Sequence, residues 1–169
     1  MRELNKKALL LMPLGEEELP DLENFDSGDI DDNHYFLNEA YGEQQRGLNT
    51  TTLVYHHGLL AAFFSLCCDV IPIKVDDGEK SEISLNVPAI KIRYAVDKNY
   101  QDMDLDSFII SYVKNLAWEL TTTKVGARFL TLDTDPSKEE FYTSKGFVRN
   151  AVGEEYVSMR LDIMLEKPY

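Results

Sequence analysis

Three aspartates occupy alternate positions in the segment Gln101-Asp102-Met103-Asp104-Leu105-Asp106. This spacing matches the first ligands of an EF-hand calcium loop. However, Ser107 stands where that loop requires glycine, and Val113 stands where it requires a bidentate glutamate. We therefore predict no metal site. Aspartate is also a preferred helix N-cap, so we expect Asp104 or Asp106 to cap a helix that begins here.

Histidine and cysteine offer no clear catalytic constellation. His56 and His57 are adjacent, so in an extended chain they point to opposite sides and cannot both bind one metal ion. Cys67 and Cys68 are adjacent within an apolar run. This arrangement is a poor disulfide framework and supplies too few ligands for structural zinc. A reducing compartment fits best, and we expect a cytoplasmic protein.

Charge is the unusual feature of the composition. The chain has 169 residues, a length that favours a single domain spanning residues 1–169. Its formal net charge is -13. Residues 15–43 carry eleven of the 30 acidic side chains and no lysine or arginine. A negative surface repels phosphate backbones and attracts cations. We therefore expect no nucleic-acid partner and a cationic small-molecule or peptide amine as partner. We also expect no membrane association, because the longest apolar stretch, Leu59 to Ile73, is shorter than the ~20 residues needed to span a bilayer.

The hydrophobic pattern predicts a mixed α/β chain. Apolar residues recur with helical spacing from Leu105 to Leu120, and Ala89 to Val96 alternates as a strand does. We predict one or two helices in the acidic segment, and Lys74 to Pro88 as a long exposed connection with a short helix near Ser81. The other predicted elements are strands Lys7–Leu14, Thr50–Tyr55, Leu59–Ile73, Phe129–Leu132, Phe147–Val148 and Tyr156–Leu165, a His56-His57-Gly58 hairpin turn, and a helix Lys138–Ser144 capped by Asp135.

This order of elements resembles the GNAT superfamily of acyl-CoA-dependent N-acetyltransferases over nearly the whole chain. The stretch from Tyr94 to Gln101 is similar to the family's fourth strand and the entry to its pyrophosphate loop. The stretch from Phe141 to Phe147 is similar to its aromatic pair, helix end and Gly-Phe. Phe25 to Asp31 is similar to the first helix start of a subgroup that includes toxin-type acetyltransferases. The resemblance implies a GNAT-like, mostly antiparallel mixed sheet flanked by helices.

The resemblance also implies a site and a reaction. Acetyl transfer from acetyl-CoA to a primary amine needs an N–H donor for the oxyanion and an acid for the departing thiolate. By resemblance the donor is the Val96 main chain and the acid is Tyr142; Tyr142 also suits a core aromatic role. The residues implied for cofactor binding are Ala95, Val96, Gln101, Asp102, Met103, Asp104, Leu105 and Asp106. Dimerisation through sheet edges is implied as well.

The pyrophosphate loop departs from the family pattern. The usual loop has Gln or Arg, two residues, Gly, one residue, then Gly or Ala, and here Asp104 and Asp106 hold both small positions. At ~6 Å and an effective dielectric of ~20, one such repulsion is worth up to roughly 3 kcal/mol. Two hypotheses follow. The chain is a GNAT-like acetyltransferase, or it keeps the fold, has lost CoA binding and serves as an interaction or regulatory module.

Overall fold

The computed structural model describes residues 4–76, 82–153 and 155–165. The strands are β1 (Leu9–Pro13), β2 (Thr50–His56), β3 (Leu59–Asp76), β4 (Glu82–Val96), β5 (Phe129–Thr134), β6 (Val148–Val152) and β7 (Val157–Asp162). The α-helices are α1 (Leu19–Leu22), α2 (Ile30–His34), α3 (Ala40–Gln45), α4 (Leu105–Thr123) and α5 (Glu139–Ser144). A π-helical turn, Tyr35–Glu39, joins α2 to α3.

The strands form a seven-stranded sheet in the order β1-β2-β3-β4-β5-β7-β6. Strand β4 pairs with β5 in parallel. The pairs β1–β2, β2–β3, β5–β7 and β6–β7 are antiparallel. This mixed, mostly antiparallel sheet with helices confirms the predicted fold class.

Contacts divide the chain into two compact units. The first contains the described residues of Met1–Cys67 and Ile92–Ser111, and the second contains those of Cys68–Lys91 and Tyr112–Tyr169.

Aromatic packing forms the core of the first unit. The rings of Phe36 and Phe63 stack with centroids 4.0 Å apart, and Phe25 meets Phe36 edge-on at 4.9 Å. Burying such rings accounts for much of the stability of a small core. The helical segment therefore packs on the β2–β3 hairpin through its apolar side chains while most of its carboxylates stay near water.

The β2–β3 hairpin turn lies where the sequence predicts it. His57 and Gly58 both have a positive φ, 50° and 79°. Two consecutive left-handed residues are the requirement of a type I′ turn, whose twist matches that of paired strands. The predicted hairpin is therefore confirmed, with strands slightly longer than expected.

The helical run from α2 to α3 begins at Asp29. The Asp29 carboxylate accepts the N–H groups of Asp31 and Asp32 at 2.9 and 3.0 Å, which satisfies amides that have no partner within the helix. The acidic segment thus holds α1 and one continuous helical run from α2 through the π-helical turn to α3. The prediction of one or two helices there is confirmed.

Strands β5, β7 and β6 build the second unit. Leu130 and Leu161 are opposite each other in the β5–β7 ladder, and both side chains are buried. Asp135 follows β5, and its carboxylate accepts the N–H of Ser137 at 2.8 Å. This cap, with Pro136 after it, precedes α5 as predicted.

The predicted connection from Lys74 to Pro88 is wrong for the residues that the structure describes. Strand β3 continues to Asp76, and β4 already begins at Glu82. Polar composition suggested a loop, but strand residues exposed on both faces need no apolar alternation. The short helix expected near Ser81 lies outside the described residues. Among the described helices, none is both long enough and apolar enough to cross a membrane.

Candidate active site

The residues predicted to bind the cofactor lie together in the first unit, on the connection from β4 to α4. Ala95 and Val96 end β4 and are buried. Gln101–Met103 forms a 3-10 turn, Asp104 follows it, and Leu105 begins α4. The connection therefore leads from the buried end of β4 to the amino end of α4.

Asp104 has the backbone conformation of a glycine. Its φ is 56° and its ψ is 29°, in the left-handed region, which a residue with a Cβ enters at a cost. Its side chain is exposed, and within the described residues its carboxylate makes no hydrogen bond. Its carbonyl accepts the Phe108 N–H at 3.3 Å. The capping prediction is therefore wrong for Asp104, because left-handed backbone turns the carboxylate away from the helix amides; for Asp106 it stays a prediction.

Gln101 uses its side chain to fix the connection. The Gln101 amide donates to the Ser27 carbonyl at 2.7 Å and lies 3.5 Å from the Val96 carbonyl. The amide is thus engaged within the protein, and so is the Met103 N–H, which donates to the Tyr100 carbonyl at 3.0 Å. The peptide groups that follow Met103 are candidates for binding an anion.

Asp97 is the buried centre of this connection, a role that was not predicted from the sequence. Only 4% of its surface is exposed. Its carboxylate accepts the Asp26 N–H at 3.0 Å, the Asn99 N–H at 2.9 Å and the Asn99 side-chain amide at 2.8 Å. These bonds satisfy a charge that would otherwise be costly to bury.

A second carboxylate ties the connection to the start of the helical run. Asp26 accepts the Lys98 ammonium at 2.6 Å, the Asn33 amide at 2.9 Å and the Gly28 N–H at 2.9 Å. The bond from Lys98, followed by those from Asn33 and Gly28, lowers the pKa of Asp26 to about 2. The Asp-Ser-Gly sequence at Asp26 and the Asp-Lys-Asn sequence at Asp97 were the available signals, since both favour side-chain bonds to nearby amides.

Beyond Lys91, the described part of β4 continues past its ladder with β5. The parallel ladder between β4 and β5 covers only Ala89–Lys91 among the described residues. The Asp97 N–H donates to the Ala61 carbonyl of β3 at 2.9 Å. Because successive N–H groups of an extended chain point to opposite edges, the Val96 N–H points away from β3.

Tyr142 lies in the second unit, on α5. Its side chain is 7% exposed, and its ring meets those of Phe141 and Phe147 edge-on at 5.1 and 5.9 Å. The Tyr142 carbonyl accepts the Phe147 N–H at 3.1 Å. The aromatic pair and the Gly-Phe of the sequence pattern therefore form one packed corner.

His56 is a buried histidine at the end of β2. Its Nε2 atom is buried without a hydrogen-bond partner in the described structure, and its ring meets Tyr100 edge-on at 5.7 Å. Burial, followed by the charge of His57, lowers the pKa of His56. Within the part of the chain that is described, no group of three or more His, Cys, Asp or Glu side chains could hold a metal ion.

No family model matches the sequence, and no curated protein matches it. Solved structures do match the fold. AtaTR bound with AcCoA superimposes with a TM-score of 0.79 at 18% identity, covering 94% of this chain and 96% of that one. AtaT complexed with acetyl-methionyl-tRNAfMet gives 0.77 at 19%, covering 93% and 96%. The KacTA–DNA complex gives 0.71 at 19%, covering 93% and 94%.

These structures correct the predicted partners. We expected a small cationic amine and no nucleic acid, yet AtaT is complexed with an acetylated aminoacyl-tRNA and KacTA with DNA. The prediction is wrong because it let the charge of one segment, together with the net charge, decide the partner of the whole chain. Eleven of the 30 acidic residues lie in 15–43, and a nucleic acid responds to the local surface that it contacts.

Proposed function

Because the chain has the fold of the GNAT superfamily, we propose that it is an N-acetyltransferase that uses acetyl-CoA. The observation that carries this proposal is the amino end of α4. That helix spans Leu105–Thr123 and follows a left-handed residue, the conformation that lets a loop turn its N–H groups toward an anion. AtaTR bound with AcCoA has the same fold, which supports acetyl-CoA as the acetyl donor.

The residues of the connection fit a pyrophosphate. The first N–H groups of a helix have no partners within the helix, and the helix dipole is positive at that end. The Asp104 carboxylate does not cap these groups, since it makes no hydrogen bond within the described residues. We propose that the connection from Gln101 to Asp106 holds the diphosphate, with Ala95 and Val96 beside the thioester arm. The Met103 N–H takes no part, because it donates to the Tyr100 carbonyl at 3.0 Å.

The reaction needs an N–H donor for the oxyanion, an acid for the thiolate and a base for the amine. A neutral amine attacks the thioester carbonyl, an oxyanion forms, and the carbon–sulfur bond breaks as the thiolate leaves. The Val96 N–H would stabilise the oxyanion, a role supported by its direction away from β3. The Tyr142 hydroxyl would protonate the thiolate, and water would accept the proton of the amine.

The acceptor we propose is the amino group of an aminoacyl-tRNA. The support is the fold shared with AtaT, which is complexed with acetyl-methionyl-tRNAfMet. Outside residues 15–43 the chain carries 19 acidic and 17 basic residues, from totals of 30 and 17. Most of the repulsion therefore comes from one segment, and a polyanion can approach elsewhere.

Calorimetry and a thermal scan with acetyl-CoA test the donor. A hundredfold excess over the dissociation constant would stabilise the folded chain by ~2.7 kcal/mol. If calorimetry detects no heat and the thermal scan detects no stabilisation at millimolar acetyl-CoA, the proposal that the chain is an acetyltransferase is refuted.

An assay with radiolabelled acetyl-CoA and charged tRNA tests the acceptor, with deacylated tRNA as the control. Equal label on both tRNAs, or on neither, would remove aminoacyl-tRNA from the proposal.

Tyr142→Phe tests the acid. We expect turnover to fall by about 10²-fold while acetyl-CoA affinity stays nearly unchanged, because the hydroxyl acts after binding. Tyr156→Phe is a matched control, since that tyrosine is 50% exposed. An unaltered rate in Tyr142→Phe would show that the hydroxyl is not the acid.

A second function is a GNAT-fold module that does not bind CoA. The observation that favours it is the pair Asp104 and Asp106 at the positions of the family's small residues. Both carboxylates add negative charge near the site proposed for a diphosphate. The calorimetry above separates the two functions, because only the enzyme binds acetyl-CoA.

A further inference from the structure

We propose that Asp97 is the positioning residue of the active site, an inference that rests on the proposed function. Asp97 does not touch the reacting atoms in this proposal. It acts through the main chain of Val96, the residue before it, and holds the direction of that N–H. None of the sequence patterns described above assigns Asp97 a role.

The first support is the number of bonds made by this one residue. Its N–H donates to the Ala61 carbonyl at 2.9 Å, and its carbonyl accepts the Tyr100 N–H at 2.8 Å. Its carboxylate accepts the Asp26 N–H and two bonds from Asn99. Both main-chain groups and both carboxylate oxygens are therefore engaged.

The second support is what these bonds restrain. The direction of the Val96 N–H relative to the next peptide plane depends on the φ and ψ torsions of Val96. That next plane contains the Asp97 N–H, and its bond to the Ala61 carbonyl fixes it. A residue bonded through its main chain and its side chain cannot rotate without breaking several hydrogen bonds together. The Val96 N–H is thereby held before any substrate arrives, which is what a preorganised oxyanion donor needs.

The third support is the brace around Asp97. Four consecutive N–H groups, those of residues 26–29, donate to side-chain oxygens of Asp97, Asn33, Asp26 and Ser27 respectively. Lys98 adds its main-chain N–H to the Asp26 carbonyl at 2.8 Å and its ammonium to the Asp26 carboxylate. The strand end therefore rests on a segment whose own amides are all satisfied.

Asp97→Asn is the most direct test. The substitution keeps the shape but replaces one oxygen by an N–H donor, so that two donors face each other at Asp26 or at Asn99. We expect kcat to fall about tenfold or more, because small displacements of a catalytic group are costly. We expect the KM for acetyl-CoA to change less than about threefold, because an oxyanion donor acts in the transition state.

Asp31→Asn is the matched control. It removes one carboxylate charge from the same unit, and the Asp31 side chain is exposed. Its kcat is expected to equal that of the wild type.

Asn99→Ala is the second test variant. It is chosen because Asn99 is exposed, so the chain should still fold. It removes one bond to the Asp97 carboxylate, and we expect a loss of kcat in the same direction, about two- to fivefold.

The measurements are acetyl transfer from radiolabelled acetyl-CoA to charged tRNA, and thermal unfolding, with rates taken well below the unfolding midpoint. A lower midpoint with an unchanged kcat in both variants means that Asp97 is only structural, and the inference is overturned while the enzyme stands. No transfer by the wild type overturns the proposed function and this inference together. A rise in KM for acetyl-CoA with unchanged kcat also overturns the inference, since it places Asp97 in substrate binding.

Discussion

Among the described residues, Asp29 and Asp135 cap the helical turns that follow them, whereas Asp104, also just before a helix, makes no cap bond. Asp29 and Asp135 have extended backbone, with φ/ψ of -102°/127° and -59°/139°, and their carboxylates accept helix amides. Asp104 has φ/ψ of 56°/29°, and its carboxylate accepts none among the described residues. Residue type alone therefore does not make a cap, because the backbone must first aim the side chain at the amides.

This difference has a chemical result. At α2 the protein supplies the anion that the helix amides need, and at the turn before α5 it supplies the bond to Ser137. At α4 the Asp104 carboxylate leaves that role to another group. This comparison supports the proposal above that the start of α4 holds the diphosphate.

The largest expected effect tests the charge at α4. The double substitution Asp104→Gly with Asp106→Gly should tighten acetyl-CoA binding by about tenfold, and by up to a hundredfold if both charges face the diphosphate. Isothermal calorimetry at low and high salt measures the change. The gain should shrink at high salt, because ions screen the repulsion. Affinity left where it was would show that neither carboxylate faces the ligand.

The next effect concerns the cap at Asp135. Asp135→Ala removes the bond to Ser137 and should lower the free energy of unfolding by about 1 kcal/mol. Urea unfolding followed by circular dichroism measures this. Asp104→Asn is the control, because it removes a carboxylate with no cap bond and asparagine tolerates left-handed backbone. Equal losses in the two variants would contradict the distinction between these helix starts.

A smaller effect concerns glycine at the two positions. Asp104→Gly should raise the free energy of unfolding by about 0.5 kcal/mol, because glycine adopts a positive φ without strain. Asp135→Gly should lower it by a few tenths of a kcal/mol, since extended backbone gives glycine no advantage there. The opposite signs are the expected result of the same urea measurement. The same sign at both positions would mean that the backbone of Asp104 is not strained.

The smallest effect is a pH dependence at Asp135. The hydrogen bonds from Ser137 lower the pKa of this carboxyl below its ordinary value of 3.8. A lowered pKa in the folded state adds stability above the unfolded value, and this stability is lost as the pH falls through the folded value. Thermal midpoints of the wild type and Asp135→Asn should therefore converge below about pH 4. A constant difference between pH 6 and pH 3 would contradict this.

The sequence predicted elements well where one face of the element is apolar. The long helix from Leu105 and the strand at Ala89–Val96 show clear periodicity, and both are present. The strand residues beyond Lys74 and before Pro88 were missed, because their composition is that of a loop and most of those whose burial is described are exposed.

The candidate site was predicted less completely than the fold. Its position on the chain followed from a motif, but the network around Asp97 joins residues 71 positions apart in sequence, such as Asp26 and Asp97. Local propensity carries no information on such pairs. The handedness of Asp104 was also beyond prediction, since aspartate prefers capping and only the surrounding chain imposes the positive φ.

The π-helical turn at Tyr35–Glu39 makes chain length itself a constraint. One residue more per turn than in an α-helix lets the neighbours Tyr35 and Phe36 both face the core. Deleting a single residue here would rotate the rest of the run by about 100°. Glu43 and Gln44 would then leave Asn49 and Thr51, which they now hold at 2.7 and 2.8 Å. A shortened stretch would therefore lose the docking of α3 on β2.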